Sequence, residues 1–258
     1  MKIVVLVKEV PDTYGQRTLS PETGLADRGA GEAVIDEICE RALEVSLSYA
    51  DANPGTEVSV ISMGPQTAAN ALRKALSMGA TDAVHILDDG LIGADLTLTA
   101  EVLAAAIRRE GFDLVITGNL STDGSGGVLP SMLAELLGVP QLTNLGVATI
   151  GQRELSGQRM TEAGAASVIS ALPAVISITE ALPDARFPSF KGIMAAKKKP
   201  LKTLTLADLG VDPEDQSVGR SIVVAIAQRP AREAGVKMVD EGDAGDRLAE
   251  FLVGNRLV

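Results

Sequence analysis

The chain contains 258 residues, of which 46% are apolar and 22% are charged, and it carries a formal net charge of −11. This length and composition predict a globular protein with a large core. The acidic balance argues against a broad nucleic-acid-binding surface, and the single cysteine excludes an internal disulfide or a multi-cysteine metal or iron–sulfur site built by this chain alone.

The first element is an apolar run, "MKIVVLVK", which ends shortly before Pro11. The run is too short to span a membrane and no small-residue cleavage site follows it, so we interpret it as a strand and expect a cytoplasmic protein. Similar runs alternate with longer stretches of helical periodicity. The predicted strands are Ile3–Val7, Val58–Ser62, Ala83–Leu87 and Asp113–Thr117, and the predicted helices are Ala33–Tyr49, Ala68–Met78 and a stripe from Leu96 to Ile107.

These strands are nearly all apolar, which is typical of parallel strands that are buried on both faces. After Pro140 the pattern changes to short runs separated by Gly-Gln and Ala-Gly turns, which predicts an antiparallel hairpin extension at about 143–170. The run Pro173–Ile178 predicts a return to the buried sheet. From residue 200 onward the chain is polar with short apolar pieces, which predicts an extended arm, 200–258, with a final helix near Ala244–Leu252.

The sequence therefore predicts an α/β fold. Residues 1–199 would form a nucleotide-binding domain built on an open, mostly parallel, Rossmann-like sheet with helices on both faces, and residues 200–258 would form the C-terminal arm.

The fourth predicted strand runs into a glycine-rich segment, "GNLSTDGSGG", and then into a helix with Pro130 in its first turn. Open parallel sheets bind ligands beyond the carboxyl ends of their strands. The glycines let the backbone approach a ligand, and the backbone N–H and hydroxyl groups suit an anion such as phosphate. Because the segment contains no lysine, its neutral donors favour a monophosphate. The alternative is an ordinary Asp-Gly turn in a flexible loop.

Catalytic and standard nucleotide motifs are not found. "GSGGVL" lacks the third glycine of the dinucleotide fingerprint, and no Gly-Lys pair is present for a P-loop. His85, in "AVHIL", is interpreted as a core or strand-end histidine, and Cys39 as a buried packing residue. We therefore predict neither catalytic residues nor a metal site. A nucleotide pocket without acid–base groups is compatible with an electron carrier, which needs only a held cofactor and a docking surface.

The segment "RFPSFKGIMAAKKKP", residues 186–200, holds two of the four phenylalanines and five basic residues. It is neither strand-like nor a clean helix. One interpretation is that it docks to a partner, with an aromatic anchor and with Arg186, Lys191 and 197–199 steering acidic molecules. The other is that Phe187 and Phe190 pack on the core and the lysines lie on a solvated helix.

The wider stretch "PAVISITEALPDARFPSFKGIMAAKKKP" resembles a segment shared by β subunits of electron-transfer flavoproteins: Leu-Pro-Ala-Val, an acidic residue, Arg, an aromatic residue, a short loop, Ile-Met and Ala-Lys-Lys-Lys. Four other stretches are similar to the same family, namely "VLVKEVPDT", "GPQTAANALRKALSMGATDAVHI", "LVITGNLSTDG" and "LGVPQLTNL". Together they cover most of the chain.

This resemblance implies a function. Such a subunit forms a heterodimer with an α subunit, which holds most of a redox-active FAD, while the β subunit buries an AMP. The heterodimer accepts electrons from acyl-CoA and related dehydrogenases, as in fatty-acid oxidation, and passes them to a quinone-linked oxidoreductase of the respiratory chain. The chain would thus be an electron carrier subunit and not an enzyme, and its C-terminal arm would contact the α subunit.

The resemblance also implies site residues. Residues at the AMP would be Leu6, Asp36, Glu37, Ile38, Cys39, Met63, Gly118, Asn119, Leu120, Ser121, Thr122, Asp123, Gly124, Ser125, Gly126, Gly127 and Val128. Residues near the FAD of the partner would be Pro11, Asp12, Thr13 and Tyr14. A docking loop, 184–199, would present Arg186, Phe187, Phe190, Lys191, Ile193 and Met194 to the dehydrogenase, with Phe190 as the anchor.

The chain departs from the family at three places. Many relatives carry Asn-Pro and an aromatic residue where this chain has Asp36-Glu37-Ile38, and many carry glutamine in place of Leu120. Some have a glutamate in place of Met160 that helps to restrain the flavin domain. A subset of the family binds a second FAD in place of AMP, and this alternative stays open. A nucleotide-sensing protein of the universal-stress type, without flavin, is the second hypothesis, but it does not account for residues 186–200.

Overall fold

The computed structural model describes residues 1–15, 17–29, 31–161, 164–215, 217–227, 229–232, 234–235 and 237–258. The chain divides into two compact units, Met1–Val224 and Ala225–Val258. In the described part of the chain, none of the helices combines the length and the apolar composition of a membrane-spanning segment.

Strands in the described part of the first unit form a nine-stranded sheet and a separate two-stranded sheet. In chain order, the strands are β1 (Lys2–Leu6), β2 (Glu9–Pro11), β3 (Ala33–Ile35), β4 (Glu57–Met63), β5 (Asp82–Ile86), β6 (Leu114–Gly118), β7 (Gln141–Ile150), β8 (Glu154–Thr161), β9 (Gly164–Ala171), β10 (Ala174–Ile178) and β11 (Leu201–Leu204).

The large sheet has the spatial order β11-β5-β4-β1-β6-β10-β7-β8-β9. Neighbours from β11 to β7 are parallel, whereas β7, β8 and β9 pair antiparallel. The predicted α/β fold, with a mostly parallel sheet and an antiparallel hairpin extension, is therefore confirmed. Ala163 of the predicted Ala-Gly turn between β8 and β9 lies outside the described residues.

Helices follow most of the parallel strands. They are α1 (Glu37–Ala52), α2 (Ala69–Met78), α3 (Leu96–Glu110), α4 (Leu129–Leu137), α5 (Phe190–Ala196), α6 (Leu206–Leu209) and α7 (Ala244–Gly254). Short 3₁₀ turns occur at Gln66–Ala68 and Asp89–Leu91.

The central strands are buried on both faces, as their composition predicts. On β1, Ile3 and Val5 pack into a core with α1 and α2, while Val4 and Leu6 pack into a second core with α3 and α4. Successive side chains of a strand point to opposite faces, so a strand covered on both sides must be apolar at every position. Because of this requirement, the parallel strands could be predicted from their continuous apolar runs.

The predicted first helix is wrong at its start. Ala33–Ile35 forms β3 and pairs antiparallel with β2. The helix begins only after Asp36, whose backbone is extended, with φ −62° and ψ 129°. A three-residue strand has too few positions to show a period of two. Its apolar residues fit the helical period that follows, so the sequence pattern assigns them to the helix.

The expected arm from residue 200 differs in its first part. Leu201–Leu204 adds β11 to the edge of the sheet, in parallel with β5, and Leu204 and Leu206 join the core under α3. Further on, the side chains of Ile222 and Val224 are 82% and 87% exposed. In the second unit, α7 extends over Ala244–Gly254, which agrees with the predicted final helix.

Gly118, at the end of β6, allows a close approach between the sheet and α1. A Cβ atom there would lie 2.5 Å from Cγ2 and 2.9 Å from Cγ1 of Ile38. We expect Gly118→Ala to lower the free energy of unfolding by about 1–3 kcal/mol through overpacking, measured by urea denaturation.

Two further variants test this reason. Gly219→Ala, where nothing lies within 4 Å of the added Cβ, should leave stability nearly unchanged. In an Ile38→Ala background, Gly118→Ala should cost much less than in the wild type. If Gly118→Ala is as stable as Gly219→Ala, the close packing of α1 on β6 is not a constraint.

Candidate functional site

A cavity of about 800 Å³ lies at the carboxyl ends of β1, β4 and β6. Each of these strands contributes a residue from its end to the wall: Leu6, Met63 and Gly118. This is the position at which open parallel sheets bind ligands. The glycine-rich segment after β6 borders the cavity, as the sequence pattern predicts.

Many of the predicted AMP-site residues line this cavity, and others lie outside its wall. Those that line it are Leu6, Ile38, Cys39, Met63, Gly118, Asn119, Leu120, Ser121, Gly126 and Gly127. The cavity wall does not include Asp36, Glu37, Thr122, Asp123, Gly124, Ser125 or Val128. The predicted set is therefore divided into residues that line the cavity and residues that do not.

The loop Asn119–Val128 has a backbone that places small residues at the cavity. Its turn is closed by the Ser125 amide, which donates to the Ser121 carbonyl at 3.0 Å. Ser125 and Gly127 both have positive φ, 49° and 68°, and a left-handed backbone is least costly for glycine. Within the described part of the chain, the N–H groups of Gly126 and Gly127 donate to no other protein atom, so both remain available for an anion.

Two cations from distant parts of the chain adjoin this loop. The Lys8 ammonium lies 2.6 Å from Oδ1 of Asp123 and 3.4 Å from Oγ of Ser121. Nη2 of Arg28 lies 3.7 Å from Oδ2 of Asp123. Burial raises the pKa of the Asp123 carboxyl, but the hydrogen bonds from Lys8, Ser121 and the Gly124 amide, together with the charge of Lys8, outweigh it and hold this pKa below its usual range. Lys8 and Arg28 therefore add two charged side chains to the neutral donors of the loop, and the loop sequence alone does not indicate them.

Asp36 binds the loop on its buried side. Its side chain is 1% exposed, and its Oδ2 accepts a hydrogen bond from the Thr122 amide at 2.9 Å. Oδ1 has no hydrogen-bond partner among the described residues. Burial raises the pKa of Asp36, since a carboxylate is costly to remove from water. The neighbouring Glu37 is exposed to solvent.

His85 and Cys39 have the structural roles that the sequence suggests. Nε2 of His85 lies 3.1 Å from the carbonyl oxygens of both Gly64 and Pro65, so this buried ring fixes the turn after β4. Cys39 is buried, and burial raises its pKa to about 12, which keeps the thiol protonated at neutral pH.

The predicted flavin-facing residues form an exposed turn after β2. The Asp12 carbonyl accepts from the Gly15 amide at 3.1 Å, and the Asp12 carboxylate accepts from the Tyr14 amide at 2.9 Å. Tyr14 is 98% exposed. Pro11 ends β2, and Thr13 is exposed at the tip of the turn.

Part of the segment 186–199 forms the short helix α5, and the large apolar residues of the segment are exposed. Ser189 caps α5 by accepting a hydrogen bond from the Gly192 amide at 3.1 Å. Phe187 is 95% exposed and Phe190 is 81% exposed, while Ile193 and Met194 are about half exposed. The interpretation that the two phenylalanines pack on the core is therefore excluded for the chain by itself.

Two of the basic residues in this segment are structural. Arg186 binds both carboxylate oxygens of Glu44, at 2.8 and 2.9 Å, and also contacts Asp51 at 2.8 Å. The Lys199 ammonium donates to the carbonyls of Leu76 and Ala80 at the end of α2. Arg186 is thus paired with two carboxylates and Lys199 is hydrogen-bonded to the protein, whereas Lys191, 197 and 198 are exposed. Steering of a partner by these charges stays a prediction.

The two carboxyls behind the loop should affect stability with opposite pH dependence. Asp36 has a raised pKa, so its contribution to folding falls as the pH rises from about 4. Asp123 has a lowered pKa, so it stabilises the native state above about pH 4, and this contribution is lost as the pH falls further.

Urea denaturation between about pH 3 and pH 7 checks this pair. Relative to the wild type, Asp36→Asn should gain stability as the pH rises, whereas Asp123→Asn should lose it. Equal slopes for the two variants would contradict the assignment.

Comparison with known proteins is consistent with this geometry. A family model described as "Electron transfer flavoprotein domain" matches residues 24–209. The electron transfer flavoprotein subunit beta of Mycobacterium tuberculosis is 46% identical over 263 residues, covering 99% of both chains. The protein of the same name from Bacillus subtilis is 31% identical, covering 98% of this chain and 96% of that protein.

A further relative belongs to a named complex. The caffeyl-CoA reductase-Etf complex subunit CarD of Acetobacterium woodii is 34% identical over 215 residues, covering 83% of this chain and 82% of that protein. Because the domain match spans most of the chain and full-length relatives share its sequence, the chain belongs to the electron-transfer flavoprotein family, among its β subunits.

Proposed function

We propose that this chain is the nucleotide-holding half of a heterodimeric electron-transfer flavoprotein. It binds AMP in the cavity at the ends of β1, β4 and β6 and pairs with an α subunit that holds most of the FAD. The heterodimer accepts electrons from acyl-CoA and related dehydrogenases and passes them to a quinone-linked oxidoreductase. The observation that carries this proposal is the cavity bordered by Asn119–Val128 in a chain of this family.

The wall of the cavity supports a nucleoside monophosphate. Leu6, Ile38 and Met63 supply an apolar surface that suits an adenine ring, while the loop residues supply donors for a phosphate. The wall contains one glycine-rich loop, which favours AMP over the two phosphates of a second FAD. The universal-stress-type alternative is not favoured, because the family match extends over residues 24–209.

Exposed apolar residues in the two units support pairing with an α subunit. In the first unit, Ile222 and Val224 are more than 80% exposed. In the second unit, Leu248 and Phe251 are three residues apart on α7, so they share a face of the helix, and both are exposed. Apolar patches of this kind mark partner surfaces, and the arm is proposed to contact the α subunit there.

The exposed phenylalanines of segment 186–199 support a docking surface for a dehydrogenase. Both ends of the segment are fixed, because Arg186 binds Glu44 of α1 and Lys199 binds a carbonyl of α2. The helix between them is therefore held in one orientation. A preorganised loop loses less conformational entropy when it binds. Phe190, at the start of α5, is proposed as the apolar anchor that enters a pocket of the partner.

The nucleotide content of the heterodimer tests the proposed cavity ligand. The complex, co-expressed and purified, is denatured, and the released nucleotides are separated by chromatography. We expect AMP in an equimolar amount with this chain. A second equivalent of FAD without AMP would assign the chain to the subset with two flavins, and release of no nucleotide beyond the single FAD would contradict the proposal.

The docking role of Phe190 is tested by two substitutions. We expect Phe190→Ala to slow electron transfer from the dehydrogenase roughly tenfold or more, because one buried anchor supplies at least about 1.4 kcal/mol. Phe190→Leu keeps an apolar anchor and should retain most of the rate. The flavin content and melting temperature of both variants should match the wild type, since Phe190 is 81% exposed. A normal rate for Phe190→Ala would contradict the docking role.

A further inference from the structure

Two cationic side chains border the cavity and come from separate segments. Lys8 follows β1, and Arg28 lies in the chain between β2 and β3. Both side chains line the cavity wall. They are 40% and 39% exposed, so each is partly withdrawn from water but remains accessible from the cavity.

One largely buried carboxylate contacts both cations. Asp123 is 11% exposed, contacts both Lys8 and Arg28, and does not itself line the cavity. Both cations thus pair with a largely buried carboxylate and also line the cavity. A side chain fixed by such an ion pair loses little further entropy when it binds a ligand.

Both cations have more N–H groups than their contacts with the described residues require. The Lys8 ammonium has three N–H groups, and its contacts with described residues are to Asp123 and Ser121. Arg28 has five, and it donates to the Glu9 carbonyl at 3.2 Å in addition to its contact with Asp123. Remaining N–H groups are therefore available at the cavity wall.

The balance of charge also favours an anion at this place. Two cations face one carboxylate, Asp123. The acidic residues of the wall, Asp88, Asp89 and Asp95, belong to a different loop. Asp88 accepts from the amides of Gly90 and Leu206, and Asp95 accepts from those of Leu98 and Ser221, so these two carboxylates are already bound to backbone amides.

We propose that Lys8 and Arg28 bind the phosphate of the nucleotide, together with the free N–H groups of Gly126 and Gly127. Lys8 and Arg28 make the cavity selective for a phosphorylated nucleoside over an unphosphorylated one. This inference rests on the proposed nucleotide-binding function. Charge-assisted hydrogen bonds to phosphate are about twice as strong as those from neutral donors, so the two side chains supply a large part of the affinity.

The test compares AMP with adenosine. The heterodimer is depleted of nucleotide by dialysis, and the dissociation constant of each ligand is measured by calorimetry. Lys8→Gln and Arg28→Gln should each weaken AMP binding roughly tenfold or more and leave adenosine binding unchanged. The matched control is Arg17→Gln, because Arg17 donates to the Thr122 carbonyl of the same loop but does not line the cavity. This control should keep wild-type affinity for AMP.

A second variant separates phosphate binding from support of the loop. Lys8→Gln leaves Asp123 without its closest partner, so the double variant Lys8→Gln/Asp123→Asn removes the buried charge as well. Weak AMP binding with normal adenosine binding in the double variant supports the proposal. A return to wild-type AMP affinity would overturn it, because Lys8 would then act only by neutralising Asp123.

The outcomes for the proposed function and for this inference are distinct. If the wild-type complex binds neither AMP nor adenosine, the nucleotide-binding function itself fails. If the wild type binds AMP and both single variants bind it equally well, the cavity function stands and the phosphate role of Lys8 and Arg28 is overturned.

Discussion

The parallel alignment of β1, β4 and β6 is the constraint on which the rest of the site depends. Because these strands run in one direction, the chain leaves each of them at the same edge of the sheet. Leu6, Met63 and Gly118 therefore meet around one cavity although they are far apart in sequence. The same alignment forces both faces of the strands into a core, which makes the framework rigid. Such a sheet edge can hold a glycine-rich loop at a fixed distance from a ligand.

Charge at the site follows from the same geometry. Lys8 lies two residues beyond the end of β1, and β1 is the direct neighbour of β6. The lysine thus reaches the loop that follows β6, where Asp123 pairs with it at 2.6 Å. Asp36, at the start of α1, binds the Thr122 amide from the buried side of the same loop. One loop is therefore connected to β1 by an ion pair and to α1 by a hydrogen bond, and its small residues stay at the cavity.

In residues 186–199, ion pairs and a helix cap hold a surface segment in place. Arg186 binds Glu44 with two parallel hydrogen bonds, a geometry that only arginine provides. Burial raises the pKa of Glu44, but the hydrogen bonds from Arg186 and Ser48, together with the charge of Arg186, outweigh it and lower this pKa overall. Gly192 lies so close to the Ser77 carbonyl of α2 that a Cβ atom would clash with it. These contacts keep Phe187 and Phe190 on the surface. Two neighbouring exposed aromatic rings are unusual for a domain without a partner.

Much of the framework could be predicted because it depends on local patterns. Strands buried on both faces are apolar throughout, helices have a 3.6-residue period, and the segment Gly118–Gly127 has too many small residues for an ordinary connection. Contacts between distant residues could not be predicted. Nothing in the sequence near Arg186 indicates that its partners are Glu44 and Asp51, and nothing near residues 119–128 indicates Lys8 or Arg28. The short strands β3 and β11 were missed because three or four residues give no clear period.

The visible absorption spectrum tests the central claim most directly, which is that this chain supplies a nucleotide cavity and partner surfaces but holds no flavin without its α subunit. The chain is purified by itself and in complex with the co-expressed α subunit. We predict that the complex has the visible absorption bands of an oxidised flavin and that dithionite bleaches them, while the chain alone is colourless. Flavin bound stoichiometrically to the isolated chain, or a stable complex without flavin, would contradict the account.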